Sequence, residues 1–129
     1  MLSVEHVAWQ VQDPVAVADW YVAHLGFKIL RRTDDAAQTH FIADASGRAI
    51  VEIYNNSKAI VPNYASQDPL LLHLAFRTTN PVESRDALIK AGATIAEDLR
   101  TTPSGDQLIM LRDPWGFAIQ LCKRAVPMG

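Results

Sequence analysis

Apolar and polar positions alternate with a period of two over residues 4–11, a stretch rich in Val and Trp that stops at Asp13-Pro14. Asp before a helix and Pro at its first position suit the unpaired amides of a helix start. The period then changes. Val17, Trp20, Tyr21, His24 and Leu25 recur at helical spacing, and Gly26 supplies a left-handed residue after the last turn. Residues 27–32, 38–43 and 49–54 read as three strands, divided by the turn sequences Asp34-Asp35 and Asp44-Ala45-Ser46-Gly47. The same order returns from residue 71. A strand over 71–77 leads to Asn80-Pro81, a shorter and more polar helix running to about Ala91, and Gly92. Strands near 94–99, 107–111 and 118–123 follow, with Ser104-Gly105-Asp106 and Asp113-Pro114-Trp115-Gly116 as turns.

The chain therefore reads as two copies of one β-α-β-β-β unit. Pro14 follows His6 by 8 residues and Pro81 follows His73 by 8, while Glu52 follows His6 by 46 and Gln120 follows His73 by 47. Four polar side chains thus occupy two equivalent pairs of positions, which suggests a site built from both copies. Module one spans about 1–56 and module two about 69–125. Residues 57–68, with Pro62 inside and Asp68-Pro69 at the end, read as the linker.

Composition narrows the partners. A chain of 129 residues, 49% hydrophobic and 20% charged, is large enough for one packed body. Its net charge of −2 offers no basic field for nucleic acid. No apolar stretch is long enough to span a bilayer, and the N-terminal residues read as a strand and not as an export signal. A single cysteine, Cys122, forms no internal disulfide. The reading is a cytoplasmic protein with a small-molecule partner.

The paired βαβββ pattern, with Leu25-Gly26-Phe27 after the first helix and Asp113-Pro114-Trp115-Gly116 entering the last strand, resembles the vicinal oxygen chelate superfamily over nearly the whole chain. That group includes glyoxalase I, extradiol dioxygenases and metal-free bleomycin-binding proteins. The resemblance implies an α+β fold in which the two modules form a curved, barrel-like mixed sheet, together one domain over 1–129. Within the group the chain is most similar to glyoxalase I, whose metal ligands lie on the first, fourth, fifth and eighth strands. Those positions hold His6, Glu52, His73 and Gln120. The likeness also implies a homodimer, and a substrate-contacting role for Asn56, four residues after Glu52. Two positions depart from the pattern. Gln120 replaces a carboxylate, and Gln10 replaces an Arg that helps hold glutathione, which leaves Glu52 as the one carboxylate able to shuttle a proton.

Face alternation agrees with this assignment. On a strand, Ala8 and Gln10 share the face of His6, Tyr54 and Asn56 that of Glu52, and Ala75 and Arg77 that of His73. Two imidazoles, one carboxylate and an amide suit a divalent ion such as Zn, Ni, Co, Mn or Fe. The leading expectation is a lyase or isomerase in which the metal holds adjacent substrate oxygens and stabilises an enediolate. Glu52 would move the proton, with Gln10, Asn56 and Arg77 contacting substrate. The alternative is a metal-free small-molecule binder of the same fold, and the third is a non-haem iron dioxygenase. Simpler roles compete at single positions: Gln120 as a hydrogen-bonded amide, His24 at a core edge, His40 on the solvent side of a strand, Arg77 as an exposed strand end, Trp115 at a rim, and Cys122 as a buried hydrophobe.

Overall fold

The computed structural model describes all 129 residues and divides them into two compact units, Met1–Pro62 and Asn63–Gly129. In the first unit β1 (Val7–Gln10) is followed by α1 (Pro14–Leu25), β2 (Lys28–Arg32), β3 (His40–Ala43) and β4 (Ile50–Tyr54). In the second, β5 (Leu74–Arg77) is followed by α2 (Pro81–Lys90), β6 (Thr94–Thr101), β7 (Gln107–Arg112) and β8 (Ala118–Lys123). Each unit is one mixed sheet of four strands, ordered β1-β4-β3-β2 and β5-β8-β7-β6. The α+β reading and the duplication both hold.

The helices start as the caps require. Asp13 accepts from the amide of Ala16, and Asn80 accepts from that of Glu83, each with a Pro at the first turn. Gly26, at φ 72°, closes α1 in the left-handed region. In α1 the buried residues are Pro14, Val17, Ala18, Trp20 and Tyr21; of the stripe read from the sequence Val17, Trp20 and Tyr21 are buried and Leu25 is half-buried. His24 is exposed, its ring centroid 5.3 Å from that of Trp20.

One face of each sheet is core. Ile42, Val51 and Ile53 of the first unit, and Ile109, Leu111, Ile119 and Leu121 of the second, are essentially inaccessible. Burying such a side chain contributes roughly 1.5–3 kcal/mol, so this face fixes the register of each sheet. His40, whose facing alternation leaves open, is buried and not on the solvent side. It pairs across β3 and β4 with Ile53, is 3% exposed, and places Nδ1 2.6 Å from the carbonyl oxygen of Gln38.

Two strands start later than expected. The strand expected over 4–11 is paired only from Val7, opposite Val51, and residues 1–5 are exposed. Residues 71–73 belong to a turn instead of a strand, since Asp68 captures the amide of Leu70 through its side chain and that of Leu71 through its carbonyl. The latter half of the expected linker also has a different role. Residues Tyr64–Ser66 form a 3-10 turn of the second unit. Arg112 donates to the carbonyls of Tyr64 and Gln67, and the Tyr64 ring meets Phe117 edge-on at 5.1 Å. No helix is long and apolar enough to cross a membrane.

Two local devices close the units. Gln10, 8% exposed, donates to the carbonyls of Asn56 and Ala59 and accepts from the amide of Asn56, so one side chain ties β1 to the chain leaving β4. Gly116 sits at φ +90°, where an added Cβ would lie 2.7 Å from the Cβ of Ala65. Gly116→Ala combines left-handed strain with a backbone clash and should cost about 2–4 kcal/mol. Gly47→Ala, at φ +73° with open space around it, should cost about 1 kcal/mol. Urea unfolding of both variants measures the difference, and equal losses would contradict the packing described. Gln10→Leu should lose about 2 kcal/mol in the same measurement, because three backbone groups lose their partner together.

Candidate functional site

The face of each sheet opposite the core carries the polar pairs. In the first sheet the parallel register sets Ala8 against Glu52, and the antiparallel one sets Phe41 against Glu52 and Arg31 against Phe41. His6 lies two residues before Ala8, just ahead of the paired strand, on the same side. Its Nδ1 is 2.9 Å from Glu5 Oε1 and its Nε2 is 3.4 Å from Glu52 Oε1. The imidazole also meets Phe41 edge-to-face, with centroids 5.6 Å apart and planes at 88°. Both members of the pair remain within reach of solvent, His6 with 31% and Glu52 with 20% of the side chain accessible.

The second sheet repeats the arrangement. Ala75 stands opposite Gln120, and Met110 opposite Gln120 on the other side. His73, two residues before Ala75, places Nδ1 2.8 Å from the carbonyl oxygen of Pro69. A carbonyl only accepts, so Nδ1 carries a hydrogen and Nε2 is the nitrogen left for another partner. Holding Nδ1–H on an oxygen in this way is how a ligating imidazole is oriented and its tautomer set. Gln120 Oε1 accepts from the Cys122 thiol at 3.4 Å. Burial pushes the Cys122 thiol up, with Arg124 drawing it the other way. The sulfur therefore stays protonated near neutrality and is a poor metal ligand or nucleophile. Gln120 borders a cavity of about 450 Å³ together with Met110, Leu108 and Arg112.

The structure thus brings together His6 and Glu52 in the first unit, and places His73 and Gln120 at the equivalent positions of the second. No three His, Cys, Asp or Glu side chains gather into a group able to hold a metal ion. The residues expected at the substrate are otherwise engaged. Gln10 and Asn56 are bound to one another through the clasp described above, and Asn56 Oδ1 accepts from the amide of Lys58. The guanidinium of Arg77 donates to the carbonyl oxygen of Gly129 at 2.9 Å. Trp115 is half-buried in its turn, its amide bonded to Asp113.

Three residues on the Glu52 side of the first sheet escaped the sequence reading: Glu5, Arg31 and Phe41. Phe41 looks like one more apolar strand residue until its pairing with Glu52 is known. The signal for Arg31 and Phe41 is cross-strand register, which strand periodicity alone does not supply.

The glyoxalase/bleomycin resistance protein/dioxygenase superfamily model matches residues 3–121. No curated protein matches the sequence. Among solved structures, a glyoxalase family protein from Bacillus cereus is similar at TM-score 0.81 and 13% identity, over 96% of this chain and 95% of that one. A glyoxalase I mutant from Zea mays is similar at TM-score 0.72 and 20% identity, over 94% of this chain and 45% of that one. TnmS3, an antibiotic binding protein from Streptomyces, is similar at TM-score 0.71 and 21% identity, over 97% of this chain and all of that one. At these identities the likeness is one of fold, and it joins an enzyme and a binding protein. The match over nearly the whole sequence, on two mixed four-stranded sheets of identical strand order, makes this chain a member of the glyoxalase/bleomycin resistance protein/dioxygenase superfamily.

Proposed function

We propose that this chain is a divalent-metal lyase or isomerase acting on a small carbonyl compound. His6 and Glu52 serve as metal ligands, His73 and Gln120 are the further donors that family likeness adds, and Glu52 is the proton-transferring group. The observation that carries the proposal is the His6–Glu52 pair. Nδ1 of His6 is turned onto Glu5, which leaves Nε2 aimed at a carboxylate oxygen of Glu52. Two electron-pair donors oppose one another unless a proton or a cation lies between them. Their 3.4 Å separation exceeds the roughly 2.7–2.9 Å of a charge-assisted N–H···O bond. It falls among the separations of about 2.9–3.5 Å expected for N and O ligands each about 2.0–2.2 Å from one ion.

A bound divalent ion supplies Lewis-acid polarisation of the substrate's oxygens and so acidifies the neighbouring C–H. The rest belongs to the chain. Glu52 accepts that proton and returns it to the adjacent carbon, and it is the only carboxylate among the four positions. Glu5 and Pro69 hold the two imidazoles through Nδ1, which leaves Nε2 available. Ala8 and Ala75, opposite Glu52 and Gln120, leave room beside the donors that larger side chains would fill.

A metal-free binding protein is the second reading. The 450 Å³ cavity beside Gln120 and the absence of a three-residue metal group favour it. Metal analysis separates the two. Untagged protein purified without chelator should hold about one divalent ion per chain, and His6→Ala and Glu52→Ala should each weaken its retention at least tenfold. Glu52→Gln should lower turnover of α-ketoaldehyde adducts or 2-acyl thioesters by about 100-fold or more, the scale of a lost general base. If no ion is found, and none of zinc, nickel, cobalt, manganese or iron is taken up on dialysis, the binding reading replaces the enzymatic one.

A further inference from the structure

Beside the His6–Glu52 pair lies a second cavity, of about 250 Å³, lined by Glu5, Leu30, Arg31, Phe41 and Ile50. Three of these side chains are apolar, one is a cation and one a carboxylate. We infer that Arg31 reads a carboxylate of the ligand, so that the compound handled here joins paired oxygens at one end to an anionic group at the other, across an apolar body resting on Phe41. This rests on the metal-site reading for the position of the paired oxygens, and on the cavity itself for the anion.

The backbone aims Arg31 there. In β2 the register slips between Ile29, opposite Ile42, and Arg31, opposite Phe41, so that two steps on β2 match one on β3. Such a bulge re-aims side chains. Leu30 and Arg31, consecutive residues that simple alternation would send to opposite faces, both line the cavity. Arg31, Phe41 and Glu52 then stand in one row across three strands. At about 4.8 Å per strand the Arg31 and Glu52 backbones are roughly 10 Å apart, with the Phe41 ring between them. That spacing leaves room for a substituted benzene ring over Phe41, with the two side chains rising on either side of it.

Three arginines of the second unit are engaged within the chain. Arg77 donates to Gly129, Arg112 to three carbonyls, and Arg100 to Glu97 at 2.8 Å. The Arg31 guanidinium makes no hydrogen bond or ion pair within the chain. Glu5, the one acidic wall, is turned onto His6 Nδ1. The second unit supplies an internal comparison: β6 carries the same slip between Ile95 and Glu97, opposite Leu111 and Met110. The residue equivalent to Arg31 is therefore Glu97, already paired with Arg100. Duplication preserved the bulge, and the free cation belongs to the first unit alone.

The test uses full-length protein and two pairs of probes. With cobalt-loaded protein, 3,4-dihydroxybenzoate should bind about tenfold more tightly than catechol. Arg31→Met should abolish that preference without changing cobalt stoichiometry, Arg31→Lys should restore part of it, and Arg32→Met, on the neighbouring position of β2, should leave it intact. With metal-free protein, benzoate should bind in preference to benzyl alcohol, again only while Arg31 or Lys is present. A wild-type protein without preference in either pair, or a preference that survives Arg31→Met, overturns the inference. Loss of catechol binding with an Arg31-dependent benzoate preference would remove the metal reading and support the anion site.

Discussion

The parallel pairing of the outer strand of each unit with its last strand is the constraint on which the remaining features rest. In a parallel ladder, residues opposite one another share a face, and a slip of one residue would send every side chain to the other side. The core holds that slip in check. Ile53 and Val51 on one side of β4, and Ile119 and Leu121 on β8, are almost fully buried, so sliding either strand would expose several large aliphatic groups. With that register set, Ala8 stands opposite Glu52 and Ala75 opposite Gln120, and the histidine two residues upstream in each unit comes to the polar side.

What the sequence made legible follows from this same physics. Helix starts at Asp13-Pro14 and Asn80-Pro81, the α1 stripe and the strand order are products of local chemistry and short periods, and these survive in the structure. The face shared by His6 and Glu52 was also readable, because alternation needs only an approximate strand. Tertiary choices were not readable. Nothing in the residues 71–73 marks them as a turn until Asp68 is seen to capture two amides. Gln10 reads as a pocket residue by alternation, yet its amide matches the spacing of three backbone groups near Asn56, a match between segments 46 residues apart in sequence. His40 was ambiguous because a strand of four residues carries too few positions to declare its buried face.

Bulges are the other feature that alternation hides. A period-two pattern assumes one residue per step on both strands, and it fails where the ladder takes two steps against one. Both second strands carry such a slip at matching places, so it belongs to the unit itself. Its effect is to present two consecutive side chains to the ligand side, which gives the cavity of the first unit both an aliphatic wall and a cation. Arg31 and Glu97 show how much chemistry a fixed backbone device can exchange by changing one residue.

Duplication also sets the terms on which the units diverge. Each inherits a histidine whose Nδ1 is held by an oxygen, and each places a longer polar side chain two strand positions on, but only the first unit has a carboxylate there. An amide in place of the second carboxylate removes a charge and a proton acceptor while keeping an oxygen. In this chain that oxygen meets a thiol that burial keeps protonated. A carboxylate at this position would bear a larger cost of partial desolvation than the neutral amide does. The neutral amide therefore suits the packed face of β8, where Ala118 and Cys122 are buried, and Glu52, whose side chain retains access to water, is the one carboxylate of the four positions.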